Sequence, residues 1–233
     1  MINKDIYSLW ISGDLWDVHK LCIKSVHNFG HNLIIYSFDD KITTECEVRD
    51  AREIMGDSEI YYYKNMMGGN PNFKFGGIAE KLKAKMLYTL GGVHIDLDVV
   101  FLKEFDYSHE YVFRPHNLGV VGNVIKAPQW CELSQLYYDW TTKIDENNTD
   151  WEKSFKGLNK FVTNLNLSKY IAPVEELGKD TPEYWWDFIH TNKRPDSRLK
   201  LIHFCGAMNE FNNAKKDSLY IELLENYKIK KES

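Results

Sequence analysis

The stretch IAEKLKAKMLYTLGGVHIDLDVVF, residues 78–101, decides the fold of this chain. Its first half repeats apolar side chains every three or four positions, which predicts an amphipathic helix over 79–90. Gly91 and Gly92 then end that helix. The apolar run after the glycines predicts one buried strand over 93–101.

Lys83 lies on the apolar face of the predicted helix, between Leu82 and Met86. A lysine in that position either extends its ammonium group to solvent or meets an anion, because an unpaired buried ammonium group is costly. The pattern by itself leaves both interpretations open.

Two aspartates, Asp96 and Asp98, interrupt the apolar strand. Strict alternation predicts that they share one face of the strand with His94. Two buried ionised carboxylates repel each other, so they must protonate, reach solvent or share a cation. Oxygen ligands favour Mg²⁺ or Mn²⁺, whereas the alternative is a strand that simply ends in water. Because ligands of open α/β sheets bind at the carboxyl ends of strands, we favour the metal site.

The rest of the chain predicts an α/β fold. Apolar runs at 6–11 and 33–38 flank a helical pattern at 18–29, and such a βαβ unit implies a parallel sheet covered by helices. Further patterns predict strands at 111–114, 120–125 and 200–204, and helices at 133–140, 158–165 and 218–227. Residues 66–77 contain four glycines and Pro71, which predicts a mobile loop that closes over a bound donor.

The composition excludes several classes of protein. The 233 residues are 14% aromatic and 27% charged, which excludes disordered and low-complexity chains. A net charge of −5 argues against a general nucleic-acid binder. The four cysteines lie far apart, so neither a zinc knuckle nor a disulfide framework is indicated.

No signal peptide or membrane-spanning run is present in the sequence, so we expect a cytoplasmic protein without an integral membrane segment.

Five segments together resemble the glycosyltransferase sugar-binding region with a DxD motif, of the family 32 type, related to polymerising mannosyltransferases and clostridial glucosylating toxins. The run 78–100 contains the motif itself. The other four segments are SLWISG at 8–13, GHNLIIY at 30–36, VGNVIKAP at 121–128 and LIHFCGAMNE at 201–210. They resemble the family's landmarks in the expected order over nearly the whole chain.

The resemblance implies a GT-A fold, a Rossmann-like mixed sheet flanked by helices in a single domain over 1–233. Residues 1–101 would form the nucleotide-sugar-binding half, which ends in the DxD motif, and 102–233 the donor and acceptor half. Such enzymes are retaining transferases that use Mn²⁺ or Mg²⁺ and a nucleoside-diphosphate sugar, usually a UDP-sugar.

The resemblance also implies roles for individual residues. The metal ligands and catalytic residues would be Asp96, Asp98 and His203. The donor-binding residues would be Leu9, Trp10, Ile11, Glu80, Lys83, Asp96, Asn123 and Asn209. Glu80 and Lys83 stand where the family commonly has Asp and Arg.

Three functions are compatible with these residues. The first is a metal-dependent retaining glycosyltransferase, with a surface glycan favoured as acceptor and a protein side chain or a hydroxylated DNA base as alternatives. The second is a metal-dependent nucleotidyltransferase or phosphohydrolase. The third is a non-catalytic sugar-nucleotide binder. The presence of Asp96, Asp98 and His203 favours an active enzyme.

Overall fold

Four strands from the first half of the chain form a parallel sheet, to which two antiparallel strands are added. The computed structural model describes residues 5–64, 74–106, 108–150, 152–181, 184–206 and 211–229. Its strands are β1 (Asp5–Trp10), β2 (Asn32–Ser37), β3 (Glu47–Asp50), β4 (Gly92–Ile95), β5 (Val99–Phe101), β6 (Val112–His116), β7 (Gly119–Ala127) and β8 (Leu201–His203). The main sheet has the order β3-β2-β1-β4-β7-β6. The first four of these strands are parallel, and β7 runs antiparallel to both β4 and β6.

Helices cover both faces of the main sheet. Neighbouring residues of a strand point to opposite faces, so each face packs its own set of apolar side chains against the helices. The helices are α1 (Asp17–Asn28), α2 (Gly76–Leu90), α3 (Glu132–Thr141), α4 (Lys153–Asn164), α5 (Val174–Leu177), α6 (Trp186–His190) and α7 (Leu219–Asn226). Ile6 is buried in a cluster with Val26 of α1, whereas Tyr7 is buried in another with Met86 of α2. The predicted α/β fold, one domain with a mixed sheet flanked by helices, is confirmed. None of the helices in the described ranges combines the length and the apolar character that a membrane span requires.

The predicted continuous strand over 93–101 is wrong. The chain leaves the main sheet after Ile95, and residues 96–99 form a turn in which the Val99 N–H donates to the Asp96 carbonyl oxygen at 3.1 Å. The residues on both sides of this turn are buried and apolar, so the hydrophobic pattern carries no sign of the break. Asp96 and Asp98 therefore lie in a turn at the carboxyl end of β4, and not on one face of a strand.

Beyond the turn, β5 pairs with β8 in a separate antiparallel sheet. Val99 lies opposite His203 in this pairing, and Phe101 lies opposite Leu201. Apolar residues of β5 and β8 are buried with residues of α1, α6 and α7 in a cluster of their own, so the position of β8 is fixed by packing. The pairing brings His203 next to the turn that contains Asp98.

The mobile loop predicted over 66–77 falls mostly on residues outside the described ranges. Its last two residues, Gly76 and Gly77, begin helix α2 instead. A β-carbon at Gly77 would lie 2.5 Å from the Tyr61 hydroxyl oxygen, so this glycine permits close packing against an aromatic ring. The donor-dependent closure predicted for residues 66–77 is not tested by these contacts and stays a prediction.

Glu59 connects a short 3₁₀ turn to two helices, and its carboxylate predicts a pH-dependent stability. Its oxygens lie 2.8 Å from Lys85 Nζ and 3.1 Å from Lys81 Nζ, and they accept a hydrogen bond from Tyr138 at 3.0 Å. Burial alone would raise the pKa of Glu59, but these three partners lower it from 4.5 to about 2. Because the folded-state pKa is depressed, the stabilisation is present above about pH 4.5 and is lost as the pH falls through about 2.

We expect Glu59→Gln to lower the free energy of unfolding by about 1–3 kcal/mol at pH 7. The difference from the wild type should vanish in urea unfolding experiments as the pH approaches 2. Glu47→Gln is the matched control, because the Glu47–Arg49 pair is exposed and contributes little. Equal effects of the two substitutions at pH 7 would contradict the prediction.

Candidate functional site

The candidate site lies where β1 and β4 end side by side. Ile6 pairs with Val93 and Tyr7 with His94, and the Ser8 hydroxyl donates to the Ile95 carbonyl oxygen at 2.8 Å. The residues that follow in each strand therefore emerge at one edge of the sheet. This edge holds the predicted donor-binding residues Leu9, Trp10 and Ile11, together with Asp96.

Three predicted metal ligands come together at this edge. Asp96, Asp98 and His203 each offer one ligand atom, and these atoms all lie within 4.8 Å of one another. His203 Nε2 lies 3.0 Å from Asp98 Oδ1, and the Gly206 backbone N–H donates to Asp98 Oδ2. Two carboxylates and one imidazole nitrogen are a donor set that fits a divalent cation such as Mn²⁺.

The two aspartates have opposite pKa shifts. Burial alone would raise the pKa of Asp98, but the neighbouring His203 and the Gly206 N–H lower it to about 2. Burial raises the pKa of Asp96, and the pull of Lys83 in the other direction does not outweigh it because Asp98 and Glu80 add their repulsion. Asp98 therefore loses its proton more readily than Asp96 does.

Lys83 meets anions, so the interpretation that it extends to solvent is wrong. Its side chain is 2% exposed, and its Nζ lies 3.0 Å from Asp96 Oδ1 and 2.7 Å from Glu80 Oε1. The other Glu80 oxygen accepts a hydrogen bond from the Tyr137 hydroxyl. Burial alone would lower the pKa of Lys83, but the two carboxylates raise it, so the ammonium group stays charged. A β-carbon at Gly122 would lie only 3.3 Å from Lys83 Cδ, so this glycine makes room for the lysine.

His19 lies beside the metal-ligand cluster, and the sequence carried no signal for it. Its Nδ1 accepts a hydrogen bond from the Trp16 N–H at 2.9 Å, so a neutral ring holds its proton on Nε2. Burial lowers the pKa of His19 to about 4, although Asp98 acts in the opposite direction. The Trp10 ring packs against His19 with their centroids 4.3 Å apart. His19 Nε2 and Asp98 Oδ2 both lie within 3.5 Å of the point where Gly206 would carry a β-carbon.

A second layer of polar groups lies behind His203. Asp180 Oδ1 lies 2.7 Å from His203 Nδ1, and Asn123 Nδ2 donates to Asp180 Oδ2 at 2.9 Å. Burial alone would lower the pKa of His203, but Asp180 and Asp98 raise it well above its ordinary value. The family resemblance of the sequence indicated Asn123 but gave no signal for Asp180 or Arg114. Asp180 lies in an irregular segment, and Arg114 lies in a predicted strand whose pattern indicates only burial.

The predicted donor-binding residues differ in what surrounds them. Asn123 joins the polar groups around His203, whereas Glu80 is engaged by Lys83 and the Tyr137 hydroxyl. Asn209 lies outside the described residues. The roles of these residues in donor binding stay predictions.

No protein-family model matches the sequence, and no curated protein matches it. Among solved structures, the chain is similar to one named "PaToxG Glycosyltransferase", with a TM-score of 0.49 and 15% identity over 72% of this chain and 74% of that one. It is also similar to the structure of a protein named only as a transferase mutant, with a TM-score of 0.44 and 7% identity over 69% of this chain and 85% of that one. Both are likenesses of fold, and the resemblance to the family 32 type stays a prediction.

Proposed function

We propose that this protein is a metal-dependent glycosyltransferase of the GT-A type, which moves a sugar from a nucleoside-diphosphate sugar to a hydroxyl acceptor. The observation that carries the proposal is the convergence of Asp96, Asp98 and His203, whose ligand atoms lie within 4.8 Å of one another. They converge at the carboxyl ends of parallel strands, which is where nucleotide ligands of α/β sheets bind.

Asp98 and His203 would hold the divalent cation directly, with Asp96 as the third ligand. The imidazole nitrogen favours Mn²⁺ over Mg²⁺, which prefers oxygen ligands. When bound, such a cation supplies positive charge that stabilises the departing diphosphate. Lys83 is engaged by two carboxylates, so its role in the proposal is to orient Asp96.

A donor with an aromatic base suits the other end of the site. The half-buried Trp10 offers an indole ring that packs on the His19 imidazole, and aromatic rings stack on planar bases. His19 Nε2, which holds the proton of the neutral ring, is a further hydrogen-bond donor close to Asp98. These groups support a nucleoside-diphosphate donor, with a UDP-sugar favoured as in the family that the sequence resembles.

The carboxylates of the site favour retention at the anomeric carbon. Among the described residues around the cation ligands, Glu80, Asp96 and Asp180 are each paired with a lysine or an arginine, and Asp98 would be paired with the cation itself. A paired carboxylate is a poor nucleophile, so we favour front-face attack in which the departing phosphate accepts the proton of the acceptor hydroxyl. The site would then act by orienting the two substrates and stabilising the leaving group. We favour a surface glycan as the acceptor.

A donor screen tests the proposal. The purified chain is incubated with a panel of sugar nucleotides, with Mn²⁺ or with EDTA, and the released nucleotide is identified by mass spectrometry. We expect one UDP-sugar to yield UDP with Mn²⁺ and not with EDTA. Release of pyrophosphate or inorganic phosphate would favour the nucleotidyltransferase or phosphohydrolase, and Mn²⁺-dependent donor binding without release would favour the non-catalytic binder.

Product stereochemistry tests the retaining assignment separately. A UDP-α-sugar should give an α-linked product, which the anomeric proton coupling in NMR reports. The acceptor panel for this measurement contains a glycan, a peptide and hydroxymethylated DNA, so that the acceptor classes are compared side by side. A β-linked product would overturn the retaining assignment and leave the transferase assignment intact.

A further inference from the structure

Arg114 and Asn123, which are buried, and the partly exposed Asp180 form a polar group on the side of His203 that faces away from Asp98. His203 Nε2 lies 3.0 Å from Asp98 Oδ1, and His203 Nδ1 lies 2.7 Å from Asp180 Oδ1. The two ring nitrogens therefore face different carboxylates. Only the Nε2 side faces the cluster of Asp96 and Asp98.

Arg114 ties Asp180 to the edge of the main sheet. Its side chain is 1% exposed, and its Nη1 lies 3.2 Å from Asp180 Oδ1. Its Nε donates to the Leu177 carbonyl oxygen at 2.9 Å and its Nη2 to the Lys179 carbonyl oxygen at 3.0 Å. One guanidinium thus holds both the carboxylate and the backbone of the irregular segment that carries it. A register irregularity between β6 and β7 occurs between Phe113 and Arg114.

Asn123 adds a second link from the sheet to the same carboxylate. Its Nδ2 donates to Asp180 Oδ2 at 2.9 Å, and its Oδ1 accepts from Arg114 Nη1 at 3.2 Å. Both Asp180 oxygens are therefore engaged, and the carboxylate is held against His203 Nδ1 from two directions. An immobilised acceptor at this nitrogen holds the Nδ1 proton in place, so Nε2 is the ring nitrogen whose lone pair would face a bound cation.

A second cation site at Asp180, His203 and Cys205 is the competing interpretation, because their ligand atoms also lie within 4.8 Å of one another. The Arg114 guanidinium lies 3.2 Å from the Asp180 oxygen that such a cation would need. A fixed positive charge at that distance opposes a second cation. The group is better suited to hold the imidazole ring than to bind a metal.

We propose that Asp180 is a positioning residue, held by Arg114 and Asn123, which orients His203 so that Nε2 faces the cation bound by Asp96 and Asp98. The proposal rests on the cation site of the proposed function. A carboxylate behind a metal-ligating histidine fixes the ring orientation, and its loss weakens metal affinity by about 10–100-fold. We expect a weakening of that size in Asp180→Asn, whose amide leaves Arg114 and Asn123 with a neutral partner.

Binding of Mn²⁺ alone tests this proposal without reference to turnover. The full chain is titrated with Mn²⁺, and free Mn²⁺ is followed by electron paramagnetic resonance for the wild type, Asp180→Asn and Asp180→Glu. Asp187→Asn is the matched control, because Asp187 pairs with Lys193 outside the site. We expect weak binding in Asp180→Asn, partial recovery in Asp180→Glu and wild-type binding in the control.

Thermal unfolding separates positioning from a merely structural role. Melting in EDTA reports the stability of the chain, and the rise in melting temperature on adding Mn²⁺ reports cation binding. We expect Asp180→Asn to lose most of the Mn²⁺-induced rise in melting temperature. If Asp180→Asn does not fold, Asp180→Glu carries the comparison, and its rise should be smaller than that of the wild type. Unchanged Mn²⁺ affinity in the folded variants would overturn the positioning role while the proposed function stands. Absence of Mn²⁺ binding in the wild type would overturn both.

Discussion

Asp98→Asn is expected to lower turnover by at least about a hundredfold while the protein stays folded. Asp98 is the aspartate with the lowered pKa, and it lies 3.0 Å from His203 Nε2. Asparagine keeps the shape of the side chain but removes the charge that would hold the cation. The fold should survive, because His203 keeps its other partner, Asp180, at 2.7 Å.

The measurement is steady-state release of nucleotide at saturating Mn²⁺, with circular dichroism as the check on folding. Asp187→Asn serves again as the control, because it makes the same chemical change in an ion pair outside the site. Full turnover in Asp98→Asn, or in wild-type protein treated with EDTA, would contradict the cation-dependent mechanism.

Lys83→Met is expected to lower the free energy of unfolding by about 2–3 kcal/mol. The substitution keeps the apolar stem and leaves Asp96 and Glu80 without the ammonium group that lies within 3.0 Å of both. Breaking a fully buried ion pair costs about 3–5 kcal/mol. The smaller value applies here because the Asp96 side chain is 35% exposed, so that water compensates part of the loss.

Lys85→Met is the matched control for this experiment. Lys85 lies on the same helix and pairs with Glu59, but its side chain is 23% exposed. Urea unfolding of both variants at pH 7 measures the difference. We expect Lys83→Met to be clearly the less stable of the two, and equal stabilities would show that the buried position of Lys83 adds nothing.

The longer strands and helices followed from the sequence because each of them carries its own local signal, whereas the short elements β3, α5 and α6 were not predicted. The helical spacing before Gly91 placed α2, and the apolar runs at 6–11 and 33–38 placed β1 and β2. Asp96 and Asp98 also stand out in the local pattern, because two carboxylates next to a buried strand repel each other unless a cation or solvent compensates them. For Lys83 the pattern left two alternatives, an ammonium group in solvent or one paired with an anion, and only the tertiary structure distinguished them.

The sequence by itself determined the fold class and the two carboxylates, since hydrophobic periodicity and charge are properties of neighbouring residues. Only the tertiary structure decided the break at Asp96, because buried apolar residues continue on both sides of the turn. It also decided the environment of His203, whose partners come from β5, the turn that contains Asp98 and the segment that carries Asp180. Those contacts join residues far apart along the chain, and their geometry depends on how the elements pack. Local patterns carry no information about such packing, which is why Asp180, Arg114 and His19 became visible only in the folded structure.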